Sequence, residues 1–164
     1  MSDNDMFDVL ETSEGITIIF SSTMDNVDRT CEEAVKFLMD SFKEFHCPEG
    51  IDCSKCLKSH LFSIQLVMRE GLTNAVRHGN RFNVFKKVKC SVNISSDNLL
   101  RMEIEDQGEG FDWRGEQLRD RDADVEDTAE HGRGLLIMQQ YFSRYWYNDS
   151  GNKLILEKQI SFKQ

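Results

Sequence analysis

The ten residues Glu70-Gly71-Leu72-Thr73-Asn74-Ala75-Val76-Arg77-His78-Gly79 decide how the rest of the chain is read. They close a segment, from about Ser59 to His78, whose apolar positions cover a wide arc of a helix: Leu61, Ile64, Leu66, Val67, Met68, Leu72, Ala75 and Val76. That pattern predicts a well-buried helix. Glu70 and Asn74, four residues apart, share one of its faces. Polar groups turned inward on such a helix are costly without a purpose, so the pair points to a site. An amide oxygen is a hard ligand suited to Mg²⁺, which keeps several waters and bridges to phosphates. A carboxylate one turn away can orient or deprotonate an attacking hydroxyl. Taken alone, the pair reads more simply as two polar residues on a helix surface. Arg77 and His78 stand within reach of phosphates, or equally serve as cations at a helix C-terminus. Gly79-Asn80 reads as the helix cap.

Two glycine stretches follow in fixed order. In Asp106-Gln107-Gly108-Glu109-Gly110-Phe111 the acid comes directly after an alternating, strand-like run. A carboxylate at a strand end can accept a hydrogen bond from the exocyclic amine of adenine, where guanine presents a carbonyl. Gly108 and Gly110 would let the backbone turn sharply and approach a base closely. Gly132-Arg133-Gly134-Leu135 opens a further helix, whose free N–H groups and dipole favour phosphate. Arg133 carries a fork of donors that suits phosphate. Each stretch alone is weak, because Asp/Gly turns and glycine-rich helix starts are common. Their order and placement together suit a nucleoside triphosphate with magnesium.

Around these motifs the periodicity predicts strands at 15–20, 89–95, 99–105, 144–148 and 153–159, and helices at 27–45, 59–78 and 134–142. The expected fold is α+β: a two-layer sandwich with helices on one face of a mixed, largely antiparallel sheet. Residues 112–130 are highly polar and read as a solvated loop or a lid.

At 164 residues the chain suits one domain with a substantial core. A net charge of −9 speaks against general nucleic-acid binding, and means that a polyanionic ligand must be held by local donors and a cation. No apolar run reaches the ~18 residues of a membrane span, and the acidic start lacks the marks of a signal peptide, so a cytoplasmic protein is expected. Five cysteines include the C-x-x-C of Cys53 and Cys56, near Cys47, His46 and His60. A zinc or redox site is conceivable, but reduced cysteines in an inter-helix loop are the simpler expectation.

The three stretches, read as E-x-x-x-N-A-x-x-H-G, D-x-G-x-G-F-D and G-R-G-L-x-I-M, resemble the GHKL (Bergerat-fold) ATPase/kinase superfamily of gyrase, histidine kinases and mismatch-repair ATPases. Within it the chain is most similar to the small anti-sigma-factor serine/threonine kinases (RsbW-like), over about residues 16–158. The resemblance implies ATP and Mg²⁺ as cofactors, with Asn74 holding Mg²⁺ and Glu70 as the catalytic carboxylate. It implies that Asp106 reads adenine while Gly108 and Gly110 shape the base pocket. Gly132, Arg133, Gly134 and Leu135 would cradle the phosphates, with Arg77 and His78 nearby, and about 113–131 would form the lid. The implied partners are an anti-anti-sigma protein of the STAS fold, which is phosphorylated, and a sigma factor, which is sequestered, commonly by a homodimer. Arg29 does not match the arginine that the family places in its first helix, and the cysteines at 47–56 are not a family feature. The rival reading is a non-catalytic ATP-binding module that captures a regulator; a detached histidine kinase domain suits the lid and third motif less well.

Overall fold

A computed structural model describes residues 5–45, 47–115 and 131–162, for 131–133 the backbone alone. Among the described residues, six strands build one sheet in the order β1-β2-β3-β4-β6-β5. They are β1 (Phe7–Glu11), β2 (Gly15–Ser21), β3 (Lys87–Ile94), β4 (Leu99–Glu105), β5 (Arg144–Tyr147) and β6 (Lys153–Gln159). Every described pairing is antiparallel, so the sheet lacks the parallel pairing that a mixed sheet would contain. Helices α1 (Met24–Lys43), α2 (Cys53–Asn74) and α3 (His131–Tyr141) lie along it, with α2 packed against both α1 and α3.

Alternation decides which face the helices cover. In β3 and β4 the residues Val88, Cys90, Val92, Leu100, Met102 and Ile104 are buried, while their neighbours are half-buried or exposed. Ile16, Ile18 and Phe20 of β2 and Leu154 and Leu156 of β6 extend that surface. Val27, Leu38, Ile64, Met68, Leu72 and Met138 of the three helices close the same core. One covered face and one open face make the expected two-layer sandwich.

Several element bounds shift by a few residues, and three differences from expectation are larger or bear on packing. Strand β1 carries only one half-buried side chain, Phe7, so its pattern shows no alternation. Helix α1 starts at Met24, where the Thr23 hydroxyl accepts the Asn26 N–H. Helix α2 starts six residues early, at Cys53, capped by Asp52, whose side chain accepts the Ser54 N–H. That start brings Cys53 within 5.9 Å of Cys47, Cα to Cα, and the two form a disulfide. The expectation of reduced cysteines throughout the loop is thereby corrected: Cys56 is free, and Cys53 pairs with Cys47. No described helix is long and apolar enough to cross a membrane.

Candidate nucleotide-binding cleft

The last turn of the α2 run widens into a π-turn, Ala75–Gly79, closed by the Asn80 N–H donating to the Ala75 carbonyl at 2.8 Å. Such turns often mark functional sites. Here it sets Gly79 against the end of β4. A Cβ on Gly79 would lie 2.3 Å from Asp106 Oδ2, and one on Gly108 would lie 2.2 Å from the Gly79 carbonyl oxygen. The end of the first motif and the start of the second therefore touch, and only glycine permits the contact.

Asp106 sits where β4 ends. Its N–H donates to the Asn152 carbonyl at 2.9 Å, and its own carbonyl accepts from Asn152 Nδ2 at 3.0 Å. Its Oδ1 accepts the Gly108 N–H at 2.7 Å. No described residue donates to Oδ2, which lies beside Gly79, and Asp106 lines the cleft. Burial pushes the Asp106 carboxyl above the usual carboxylate range, opposed by the Gly108 N–H and the Lys86 ammonium. A half-buried acid with a perturbed pKa in a cleft is a functional-site candidate.

Buried Asn80 ties these pieces together. Its Nδ2 donates to Ser22 Oγ at 2.8 Å and to the Lys87 carbonyl at 2.9 Å, and its Oδ1 accepts the Gln107 N–H at 2.8 Å. One side chain thus joins the π-turn to the ends of β2, β3 and β4. On the other side, Gly110 takes a φ of +73°, and a Cβ there would lie 1.7 Å from the Ser150 carbonyl oxygen. The Trp113 indole N–H donates to the Asn148 carbonyl at 3.1 Å, and the Phe111 and Tyr147 rings meet edge to face at 4.9 Å. The Asp106–Phe111 loop is in this way fixed to the turn between β5 and β6.

The result is a cleft of about 270 Å³, close to the lower end of small-molecule sites at about 300–1,000 Å³. Asn74, His78 and Gly79 line it from α2 and the π-turn, and Asp106, Gly110 and Phe111 from β4 and its loop. Ala75, Ile104, Leu154 and Tyr147 supply apolar walls. Arg81, Lys86 and Asn152 also border it and were not expected from the sequence.

The remaining expected residues divide. Glu70, one turn before Asn74, packs on the first turn of α3, where a Cβ on Gly134 would lie 2.7 Å from Glu70 Oε1. The first and third motifs therefore meet at this carboxylate. Gly132 and Arg133 belong to that same first turn, which begins three residues before the expected start. Leu135 is half-buried and lies outside the cleft lining. Arg77 is exposed and does not line the cleft, because the π-turn directs Asn74 and His78 there instead. Arg29 lies 3.9 Å over the Phe7 ring and donates to Asn26 Oδ1, so it serves β1. Of the expected lid, 116–130 lie outside the described residues.

The arrangement defines a class: an antiparallel sandwich with a cleft between the end of its central helix and its central strands. Residues 27–158 match the family model described as histidine kinase-like ATPase domain, and the chain belongs to that family. The chain is 28% identical over 104 residues to a protein named anti-sigma F factor from Priestia megaterium, covering 62% of this chain and 71% of that protein. It is also similar to the histidine kinase domain of a blue-light activated histidine kinase from Erythrobacter litoralis EL346. There the identity is 20% and the TM-score 0.44, covering 62% of this chain and 45% of the other, so the chain spans less than half of that structure. The expected superfamily is borne out by the family match.

Proposed function

We propose that the chain binds Mg·ATP in this cleft and transfers the γ-phosphoryl group to a serine or threonine of a partner protein. The carrying observation is that one helix brings Asn74 to the cleft and Glu70 to the first turn of α3, while Asp106 lines the same cleft. Asp106 would accept the exocyclic amine of adenine, between the apolar walls of Ile104 and Leu154. The contacts of Gly79 with Asp106, of Gly108 with Gly79 and of Gly134 with Glu70 hold the three motifs against one another, as a shared site needs.

The amide of Asn74 fits a magnesium ion that also contacts phosphates, and its chemistry would be neutralisation of phosphate charge. The chain's own part is positional. Glu70 would accept the proton of the attacking hydroxyl as the new oxygen–phosphorus bond forms and ADP leaves with the old bond's electrons. The free N–H groups at the start of α3 would hold phosphate oxygens.

The relative named anti-sigma F factor supports an anti-sigma role. The phosphoacceptor would be an anti-anti-sigma protein of the STAS fold, with a sigma factor as the sequestered partner and a homodimer as the working form. The test is transfer of γ-labelled phosphate from ATP to purified STAS-fold proteins of the same organism. Glu70→Gln should abolish transfer and leave ATP affinity within about twofold, which is under 0.5 kcal/mol. Transfer undiminished in Glu70→Gln would refute the catalytic assignment. Nucleotide-dependent capture of a partner without transfer would support the rival reading, a binding module.

A further inference from the structure

The stretch 71–96 contains Arg77, Arg81, Lys86, Lys87 and Lys89 and no Asp or Glu, in a chain whose net charge is −9. None of these five cations forms an ion pair with a described residue. Among the other described cations Lys36, Lys43, Arg69, Arg101, Arg114, Arg144 and Lys153 form ion pairs, while Arg29, Lys55, Lys58 and Lys158 form none. In the middle of the stretch lie three exposed apolar side chains: Phe82 at 53%, Val84 at 37% and Phe85 at 71%.

This loop is braced. Arg81 and Phe82 take φ values of 54° and 56°, a left-handed conformation that bulky residues rarely adopt. The Phe82 N–H donates to the Val76 carbonyl at 2.9 Å, the Asn83 N–H to the Asn80 carbonyl at 3.0 Å, and the Lys86 N–H to the Asn83 carbonyl at 2.9 Å. A strained loop held by its surroundings, showing aromatic side chains to solvent, is a feature from which function is inferred. Its two flanks, Arg81 and Lys86, border the nucleotide cleft.

We propose that residues 81–86 form a docking surface for an acidic segment of a partner protein, its carboxylates meeting Arg81 and Lys86 and its apolar side chains covering Phe82 and Phe85. Charge complementarity selects this occupant. A short acidic segment finds Arg81, and Lys86, which acts on Asp106 without a direct ion pair, beside an apolar centre. A nucleic acid or an anionic membrane presents a longer polyanionic surface and would meet the acidic remainder of the chain. Lys86 acts on Asp106, so the surface flanks the Asp106 end of the cleft, and the docking does not depend on the kinase reading.

The test is fluorescence anisotropy with a labelled peptide of alternating glutamate and leucine. A lysine–leucine peptide, an oligouridylate and phosphatidylserine vesicles are titrated in parallel. The wild-type chain should bind the acidic peptide in preference to the others, more weakly as salt is raised. Phe85→Ala, at an exposed position, should weaken that binding at least tenfold while ATP affinity is unchanged, and Val84→Ser should weaken it in the same direction. Asp106→Asn should do the reverse, losing ATP and keeping the peptide, which separates failure of this proposal from failure of the cleft assignment. Equal affinity in Phe85→Ala, no binding of the acidic peptide, or preference for oligouridylate or vesicles would overturn it. Self-association that Phe85→Ala abolishes would assign the surface to a second copy of the chain and also overturn it.

Discussion

Asn80→Ala removes the one side chain that bonds the π-turn to three strand ends, and its cost can be worked from the contacts. Three hydrogen bonds of 2.8 to 2.9 Å are lost. At a net value of about 1 kcal/mol each, the loss comes to about 3 kcal/mol. The Ser22 hydroxyl does not add to this, because it donates to the Lys86 carbonyl at 2.9 Å and keeps that bond. The Lys87 carbonyl and Gln107 N–H lie nearer solvent and regain part of their bonding from water. Urea unfolding should therefore show a loss of about 2–3 kcal/mol with the slope unchanged. For a chain of this size that is a fall of about 4–12 °C in Tm. ATP affinity should fall as well, because Gln107 and Gly79 lose their common anchor. Asn80→Asp sharpens the test: it keeps the acceptor for Gln107 but turns both donations into contacts between oxygens. A carboxyl introduced there would be held above its ordinary pKa, so the stability of Asn80→Asp should be higher in acid and decline as the pH rises. A loss under about 1 kcal/mol for Asn80→Ala, or full stability with full ATP affinity, would refute the reasoning.

Three other outcomes follow from the same geometry. Burial raises the Asp106 carboxyl, so its ionisation opposes folding once the pH passes above the carboxylate range. Asp106→Asn should thus be as stable as the wild type or more so at pH 7, with the difference vanishing in acid, as chemical denaturation across pH would show. Gly110→Ala should cost at least about 1–2 kcal/mol for the left-handed backbone, with the contact against Ser150 added, and should reduce nucleotide binding; thermal melts with and without ATP would measure both. Gly134→Ala meets the flexible Glu70 side chain, closest at Oε1, and no backbone, so it should cost little stability while displacing the carboxylate and slowing phosphoryl transfer in the kinase assay.

How much could be read beforehand differed by element. Strand β4 and strand β6 were expected at the residues they occupy, because each has one buried face or a run of buried apolar side chains. Strand β1 was missed because Val9 and Leu10 are adjacent and both exposed on an edge strand, so no period of two survives. The first six residues of α2 were missed because only Cys53 among them is buried. In the cleft, Asn74, His78, Asp106 and Gly110 were legible because their spacing reports local geometry. Lys86, Asn152 and Tyr147 were not, since they reach the site from turns and strands distant in sequence, and the helix-cap reading of Asn80 carried no sign of the strand ends it bonds. The run of cations without acids at 77–89, in an acidic chain, was a visible signal that the sequence reading left unused. Arg77 shows the converse: it adjoins the motif in sequence, but the π-turn carries its side chain away from the cleft.

Calorimetric titration with Mg·ATP, with Mg·GTP beside it, tests the central claim most directly when the wild type is compared with Asp106→Asn. The account predicts ATP binding by the wild type, little or no GTP binding, and a loss of ATP affinity of at least tenfold in a folded Asp106→Asn. Equal binding of ATP and GTP, or ATP affinity that survives Asp106→Asn, would contradict it.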